Sequence, residues 1–583
     1  MADTIITAPP TTLSATVQTP VAPQQDLPAN PSGNKSALWA LALCLLLVGV
    51  CYANSLGNAF ILDDVLIVAA NEQIRSIQPL HFLLQPYWGG QLNGGIYRPL
   101  TIFSYSLEYS IWQGWPAGFR LVNLLLHVLN GWLVFLLARS LLRSELAGFA
   151  AAGLYVVHPV NTEAVVSIVG RSELLAATGF FAGWLAFRKG RTWWAAAAYF
   201  MSLLAKESAI TLPAIIALEM LFAEGGVRRV RDSWNRFAVL GAAAIAYLGL
   251  RFYVLGGLGI PRVNQYLHGS LTFWDRWITS GRVFLRYFQL LLWPVQITGD
   301  YDFNSVPVAT LRDWDAWLGL TIVAACIFAA VRTARNRPMF SLGILFFFVA
   351  LLPVSNWILP ISLLMAERFL YLPLFGFALL GGGFWAGIDD RRIRRWTAAG
   401  VLSVAAILCI GHNYIWQDKL TFHRNLVRVS PENARGRLGY GFALLNVGKT
   451  EDAKVQFEEG LRILPNSAPL LAGLAATIMR IDHNCDRVRP MLGLALVEDA
   501  SQWQSLWVLG DCFVEEGQTS LAEAAYRRAV RITDFPDPLL LYSWGRSLED
   551  LGDRSTAITA YERAAKIDPM DEVIKMRLKL LRN

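Results

Sequence analysis

Two adjacent carboxylates, Asp63-Asp64, follow an apolar segment, 37–56, long enough to span a bilayer. At a lipid–water boundary such a pair can serve as a base, a metal ligand or a cation-binding group. One member can raise the pKa of the other, so that it accepts a proton from a hydroxyl nucleophile. The same dipeptide also suits a solvated turn. In Tyr97-Arg98-Pro99-Leu100, an Arg at a helix start offers phosphate a fork of donors, or anchors the helix at the interface. His158-Pro159-Val160-Asn161-Thr162-Glu163 forms a tight polar turn, continued by Gly170-Arg171-Ser172-Glu173. Arg171 and Glu173 then enter an apolar helix, where each needs a partner: the other, the loop carboxylates or an anionic ligand. His127, in the preceding helix, can join them or act as a structural hydrogen-bonder. Lys206-Glu207-Ser208 and Ala366-Glu367-Arg368-Phe369-Leu370-Tyr371-Leu372-Pro373 interrupt apolar runs in the same way. Their cations suit a phosphate or a carboxylate; their acids suit ion pairs or sugar hydroxyls.

The elements that position these groups read as membrane helices. Of 583 residues 54% are hydrophobic and 16% charged, against about 25% charged in soluble domains. Residues 1–36, rich in Thr, Pro, Ala and Gln, cannot build a core and are expected to form a disordered cytoplasmic head. Apolar segments follow at 37–56, 119–141, 146–158, 164–187, 192–205, 208–223, 236–255, 315–331, 339–355, 368–388 and 396–415. Basic clusters at Arg139/Arg143, Arg188/Lys189/Arg191, Arg228/Arg229/Arg231, Arg332/Arg335/Arg337 and Arg391/Arg392/Arg394/Arg395 set orientation. They account for much of the net charge of +7, which is therefore no nucleic-acid signal. The clusters alternate if 272–296, with Arg276, Arg282 and Arg286, lies as an amphipathic helix at the interface and does not cross. That gives about eleven spans in a domain over 37–416, with the N-terminus cytoplasmic and the tail outside. In the alternative, 272–296 crosses and Arg332, Arg335 and Arg337 face out. Asp63, Asp64, Arg98, His158, Asn161, Glu163, Lys206, Glu207, Asp300, Asp302, Glu367 and Arg368 all fall on the outer face, with 57–118 as the first outer loop. A gathering at one face, away from mid-membrane, disfavours a transporter.

Ser-His-Asp, Walker, GxGxxG and HExxH patterns are absent, so the energy must arrive with the substrate. A lipid-phosphate-activated donor fits, because its leaving group stays in the membrane where cations can stabilise it.

From about 432 onward the charge rises and a period appears. Gly448-x4-Ala453-x3-Phe457-x7-Pro465 returns as Gly517-x4-Ala522-x3-Tyr526 and as Gly552-x4-Ala557-x3-Tyr561-x7-Pro569. This is the tetratricopeptide pattern: small residues where paired helices touch, an aromatic between them and Pro ending the unit. A degenerate unit over 466–500 makes about four repeats, capped by the basic helix 570–583. Cys44, Cys51, Cys326 and Cys409 lie in apolar segments and Cys485 and Cys512 in the tail. With no CxxC, zinc and redox motifs are unsupported, but a Cys485–Cys512 disulfide becomes available if the tail faces an oxidising compartment.

Taken together, Asp63-Asp64, Tyr97-Arg98-Pro99-Leu100, His158 to Val165, Gly170 to Leu175, Lys206-Glu207 and Ala366 to Pro373 strongly resemble the TMTC family over about 57–375. These are transmembrane O-mannosyltransferases with tetratricopeptide repeats, of the GT-C fold class. The resemblance implies an all-α, polytopic GT-C fold with a C-terminal repeat solenoid. It implies inverting transfer of a sugar from a polyprenyl-phosphate donor to Ser or Thr hydroxyls of a protein. Asp63 or Asp64 would be the base. Arg98, Arg171, Lys206 and Arg368 would bind the donor phosphate, and His158, Asn161, Glu163, Glu173, Glu207 and Glu367 would hold the sugar or the cavity. Metal dependence is open: a carboxylate pair can hold Mg or Mn, and a monophosphate leaving group can also depart without one. The short array and the disordered head depart from the family and point to a bacterial inner-membrane relative with a periplasmic tail, for which undecaprenyl phosphate is the natural carrier. The rival reading is a non-enzymatic repeat scaffold for envelope assembly.

Overall fold

A computed structural model describes residues 31–87, 95–222, 226–257, 272–301, 305–358, 361, 363–533, 536–567 and 571–582. Most of the expected disordered head, Asp302 and most of the loop 256–278 lie outside these residues. Among the described residues there is no strand, in keeping with the all-α reading.

Among the described residues up to 415 there are thirteen longer α-helices: α1 (Pro31–Tyr52), α2 (Pro99–Trp112), α3 (Pro116–Leu142), α4 (Glu145–Val157), α5 (Arg171–Arg188), α6 (Thr192–Ala205), α7 (Leu212–Phe222), α8 (Trp234–Leu255), α9 (Phe273–Leu292), α10 (Trp314–Thr333), α11 (Pro338–Leu351), α12 (Leu374–Ala386) and α13 (Arg391–Ile415). Pro starts α2, α3 and α11, where a missing N–H costs nothing. By length and apolarity five described helices can cross a membrane: 35–57, 116–142, 234–255, 314–333 and 391–415. Pro159–Val166 with Ile168–Arg188 adds a sixth if this pair, bent by 100°, is one span. The expected segments 164–187, 208–223 and 368–388 are less continuous than their apolarity suggested. At the ends that carry the polar motifs they unwind into 3₁₀ turns, Ile168–Gly170, Glu207–Thr211 and Glu367–Leu370. Irregular backbone at membrane depth is tolerated where protein buries it.

Contacts at the helix ends order the bundle. At one pole the Ser36 hydroxyl donates to Glu145 (2.8 Å), Arg139 donates to Ser36 (3.1 Å), Arg188 to Ser140 (3.0 Å) and Arg236 to Thr192 (3.1 Å). At the other, Asn58 donates to the Asn413 carbonyl (3.0 Å) and Thr101 to that of Ala205 (3.2 Å). Helix α9 lies across this second pole. Arg282 forks onto Asp315 at the start of α10 (2.6 and 2.9 Å), and the Leu291 carbonyl meets His158 at the end of α4 (3.0 Å). Gly281 lets α9 and α10 touch, since a Cβ there would stand 2.2 Å from the Ala316 oxygen. A single apolar core runs through α1, α3, α4, α5, α6 and α12.

The tail is a stack of helix pairs from α14 (Lys419–Val429) through α15 (Ala434–Asn446), α16 (Thr450–Ile463), α17 (Ala468–Asp482), α18 (Cys485–Glu498), α19 (Trp503–Glu515), α20 (Thr519–Ile532), α21 (Pro538–Asp550), α22 (Arg554–Ile567) and α23 (Glu572–Arg582). The repeat signature has a direct packing cause. A Cβ on Gly441, Gly510 or Gly545 would meet the ring of Phe457, Tyr526 or Tyr561 at 2.6, 2.4 and 2.7 Å. Gly448, Gly517 and Gly552 turn between helices at φ +76, +70 and +82°, a region that favours glycine. The array is fastened to the second pole: Asn425 donates to the Ile297 carbonyl (3.0 Å), Asn433 to Ser305 (2.7 Å), and Arg435 pairs with Asp300 at 3.6 Å.

Candidate functional site

The two neighbouring aspartates diverge. Leu62 adopts φ +51°, a strained turn for a non-glycine residue, and Asp63 and Asp64 follow it at successive helical positions, about 100° apart around the axis. Asp63 is exposed and Asp64 fully buried. One Asp64 oxygen accepts the Val169 N–H (3.0 Å) and the Ser167 hydroxyl (3.3 Å), while the other accepts nothing among the described residues. Burial pushes the Asp64 carboxyl up to about 6, against the pull of the Arg120 guanidinium and the Val169 and Ile168 N–H groups. Buried Arg120 donates to the carbonyls of Val166 (3.1 Å), Ala59 (2.5 Å) and Asn58. Asp64 and Arg120 therefore tie the first loop to the bent segment after α4.

Beside them stands a set of ion pairs drawn from distant motifs. Arg98 forks onto Glu207 (3.1 and 2.7 Å), its guanidinium 5.6 Å from the Tyr87 ring. Burial would raise the Glu207 carboxyl, but Arg98 and Lys206 outweigh it and hold Glu207 well below the usual range. Lys206 pairs with Glu173, both buried, over the Phe369 ring. Glu163 accepts the backbone N–H of Arg368 (2.8 Å) and pairs with its guanidinium. Arg368 feels Glu163, Asp63 and Glu173. With its side chain 29% exposed, Arg368 is more open than Arg98 at 15% or Lys206 at 3%.

Other expected residues hold the frame. Arg171 is fully buried and does not face a ligand: all five of its N–H groups are engaged, by Asn123, Ser104, Glu108 and the Phe119 carbonyl (2.7 Å). Its partner is Glu108 within helix α2, while Glu173 goes to Lys206. His158 uses one ring nitrogen on the Leu291 carbonyl and the other on the Val160 N–H (3.3 Å). Asn161 is buried and donates to Tyr155 (2.6 Å). Glu367 is buried and accepts from the Thr298 N–H (3.0 Å), the Gly299 N–H (3.4 Å) and the Tyr301 hydroxyl (2.5 Å). Burial and neighbouring Glu163 raise its carboxyl to about 8 despite these donors. His127 meets the Tyr371 hydroxyl (2.8 Å) inside the core, as a structural hydrogen-bonder would. Glu108, Arg120 and Asn123 are important members that the motifs did not flag. Their signal was available, since Glu108 and Arg120 are ionisable groups close to an apolar span.

As for a metal, no three His, Cys, Asp or Glu side chains converge among the described residues, and the Asp pair points apart.

An all-α protein with apolar helices, a polar cluster at one pole and a repeat tail is thus defined. A model of the tetratricopeptide repeat matches residues 540–570. Protein O-mannosyl-transferase Tmtc1 of Drosophila melanogaster is 28% identical over 539 residues, covering 74% of this chain and 62% of its own length. Tmtc3 of the same fly is 27% identical, covering 75% and 56%, and human TMTC4 is 27% identical, covering 72% and 65%. The chain is similar to these TMTC proteins, and it spans less than two thirds of their length. Among solved structures, the TPR protein TTC0263 of Thermus thermophilus aligns with 33% of the chain at 16% identity and a TM-score of 0.24.

Proposed function

We propose that this chain is an integral-membrane glycosyltransferase of GT-C type, moving a mannose-like hexose from a polyprenyl phosphate to Ser or Thr hydroxyls of a protein at the pole that carries the repeat array. The observation that carries this reading is the exposed Asp63 within the field of the half-open Arg368, beside the Arg98–Glu207 fork. The named activity of the curated relatives supports it.

Asp63 is the base in this reading. A base must reach the acceptor oxygen, and Asp63 is open whereas Asp64 is sealed against Val169. Asp63 takes the hydroxyl proton as the acceptor oxygen bonds to the sugar carbon on the face opposite the phosphate. The carbon–oxygen bond to phosphate breaks and its electron pair leaves with the polyprenyl phosphate. Arg368 and Arg98 stabilise that developing charge, since prearranged cations in a water-poor site act strongly on it. Lys206, paired with Glu173, adds positive field without touching the phosphate. Glu207 and Glu163 aim the two arginines, and Glu207, with its side chain 38% exposed, offers its open edge to sugar hydroxyls. Arg171, His158, Asn161 and Glu367 hold the backbone that carries these groups. The array holds the acceptor polypeptide over the site. The pole faces the periplasm or a lumen, the N-terminus lies in the cytoplasm, and about eleven segments cross a bacterial inner membrane.

Purified protein in lipid nanodiscs, offered radiolabelled polyprenyl-phosphate sugars and envelope proteins, tests the reading. Transfer of one sugar into protein with release of the lipid phosphate is expected. No turnover of any donor, with envelope partners still retained by the array, would favour the scaffold.

A further inference from the structure

The degenerate unit of the array lacks the features that lock its neighbours. His483 adopts φ +48° at the position where Gly448, Gly517 and Gly552 make the same turn in the other units. Pro490 sits inside α18 and removes one of its backbone donors. Val488 and Leu492 replace the small residue and the aromatic that lock the other pairs. Yet this unit is the one with a thiol at its seam. Cys485 opens α18 and Cys512 lies within α19, and both are buried. Met479 closes the cluster from α17, its sulfur 3.7 Å from Cys485 Sγ and 3.4 Å from Cys512 Sγ.

We propose that Cys485 and Cys512, free thiols in this structure, are joined in the exported protein by a disulfide that staples the degenerate repeat to the next one. The proposal rests on the outward placement of the array given above. One thiolate attacks the disulfide of an oxidising thiol–disulfide exchange partner and releases one of its thiols. The other cysteine then attacks the mixed disulfide, closing the Cys485–Cys512 bond and releasing the second. Both cysteine protons are lost, and two electrons end on the exchange partner. Because both sulfurs are buried in the closed array, the exchange takes place before the unit packs. The bond closes a long loop in the unfolded chain, the situation in which a disulfide restrains that state most.

The test uses full-length protein in native membranes. Free thiols are blocked with an alkylating agent under denaturing, non-reducing conditions, and proteolytic peptides are mapped by mass. A linked peptide pair carrying Cys485 and Cys512 is expected. Both cysteines recovered alkylated would overturn the proposal. Protease access to the array from the outer side then separates two failures: an accessible array with free thiols sinks only the disulfide, while a protected array sinks the placement as well. Reductant should lower the unfolding temperature of the wild-type array by on the order of 10 °C and leave C485A/C512A unmoved. An equal shift in that variant would assign the effect to other cysteines and contradict the staple.

Discussion

Replacing Asp64 by Asn should flatten the pH dependence of folding stability. The Asp64 carboxyl is buried and raised from its ordinary 3.8 to about 6. Between those values the folded protein holds a proton that the unfolded chain has released. The contribution of this group to stability is therefore complete below about pH 4 and is lost as the pH rises through 6. A gap of about two units corresponds to about 3 kcal/mol at 1.36 kcal/mol per unit, as an order of magnitude. The amide introduced by Asp64→Asn can still offer its carbonyl to the Val169 N–H, which donates to Asp64 across 3.0 Å, so the variant should fold. Because the amide does not titrate, D64N should gain on wild type as the pH rises, by on the order of 5 °C in Tm between pH 4 and 8. Glu367, raised to about 8, loses stability in the same direction over a higher window, but it is present in both proteins and cancels in the difference. Thermal unfolding followed by tryptophan fluorescence in nanodiscs reads this directly. Parallel pH profiles for the two proteins would refute the burial of Asp64 as an uncompensated carboxylate.

Breaking the buried Arg171–Glu108 pair from one side, as in Arg171→Met, should cost about 3–5 kcal/mol by leaving Glu108 uncompensated; thermal stability should recover at least in part in R171M/E108L, and a double-mutant cycle showing no coupling would contradict the pairing. Arg98→Lys loses the fork onto Glu207, so KM for the lipid donor should rise roughly tenfold with folding unchanged; donor titration checks it. Gly281→Leu should separate α9 from α10, where even a Cβ would stand 2.2 Å from the Ala316 oxygen, and cost a few kcal/mol of stability, measured as loss of folded protein in detergent.

The repeat tail was legible because its turn and packing rules are local and the spacing repeats: Gly448, Gly517 and Gly552 make the turns, and Phe457, Tyr526 and Tyr561 fill the seams, whereas the glycines that make room for those rings, Gly441, Gly510 and Gly545, went unread. The helices of the apolar half were legible from hydropathy, but their ends were not. Apolarity continues through 164–187, 208–223 and 368–388, whereas the backbone breaks where Ser167 and Val169 meet Asp64 and where Glu207 and Glu367 take partners. The motifs identified which residues gather at one pole. They could not assign the pairs, because an ion pair such as Arg171 with Glu108 is set by how α2 and α5 pack and leaves no trace in spacing. The separation of Asp63 from Asp64 was likewise hidden, since it depends on the N–H of Val169, more than a hundred residues away.

The most direct test of the central claim is the single-turnover rate of sugar transfer from a polyprenyl-phosphate donor by wild type, D63N and D64N, each shown to be folded. With Asp63 as general base, D63N should be slowed about 10²–10⁴-fold at unchanged donor affinity, and D64N should retain most of the rate. Full transfer by D63N, or a loss confined to D64N, would contradict the assignment of the exposed carboxylate to the chemistry.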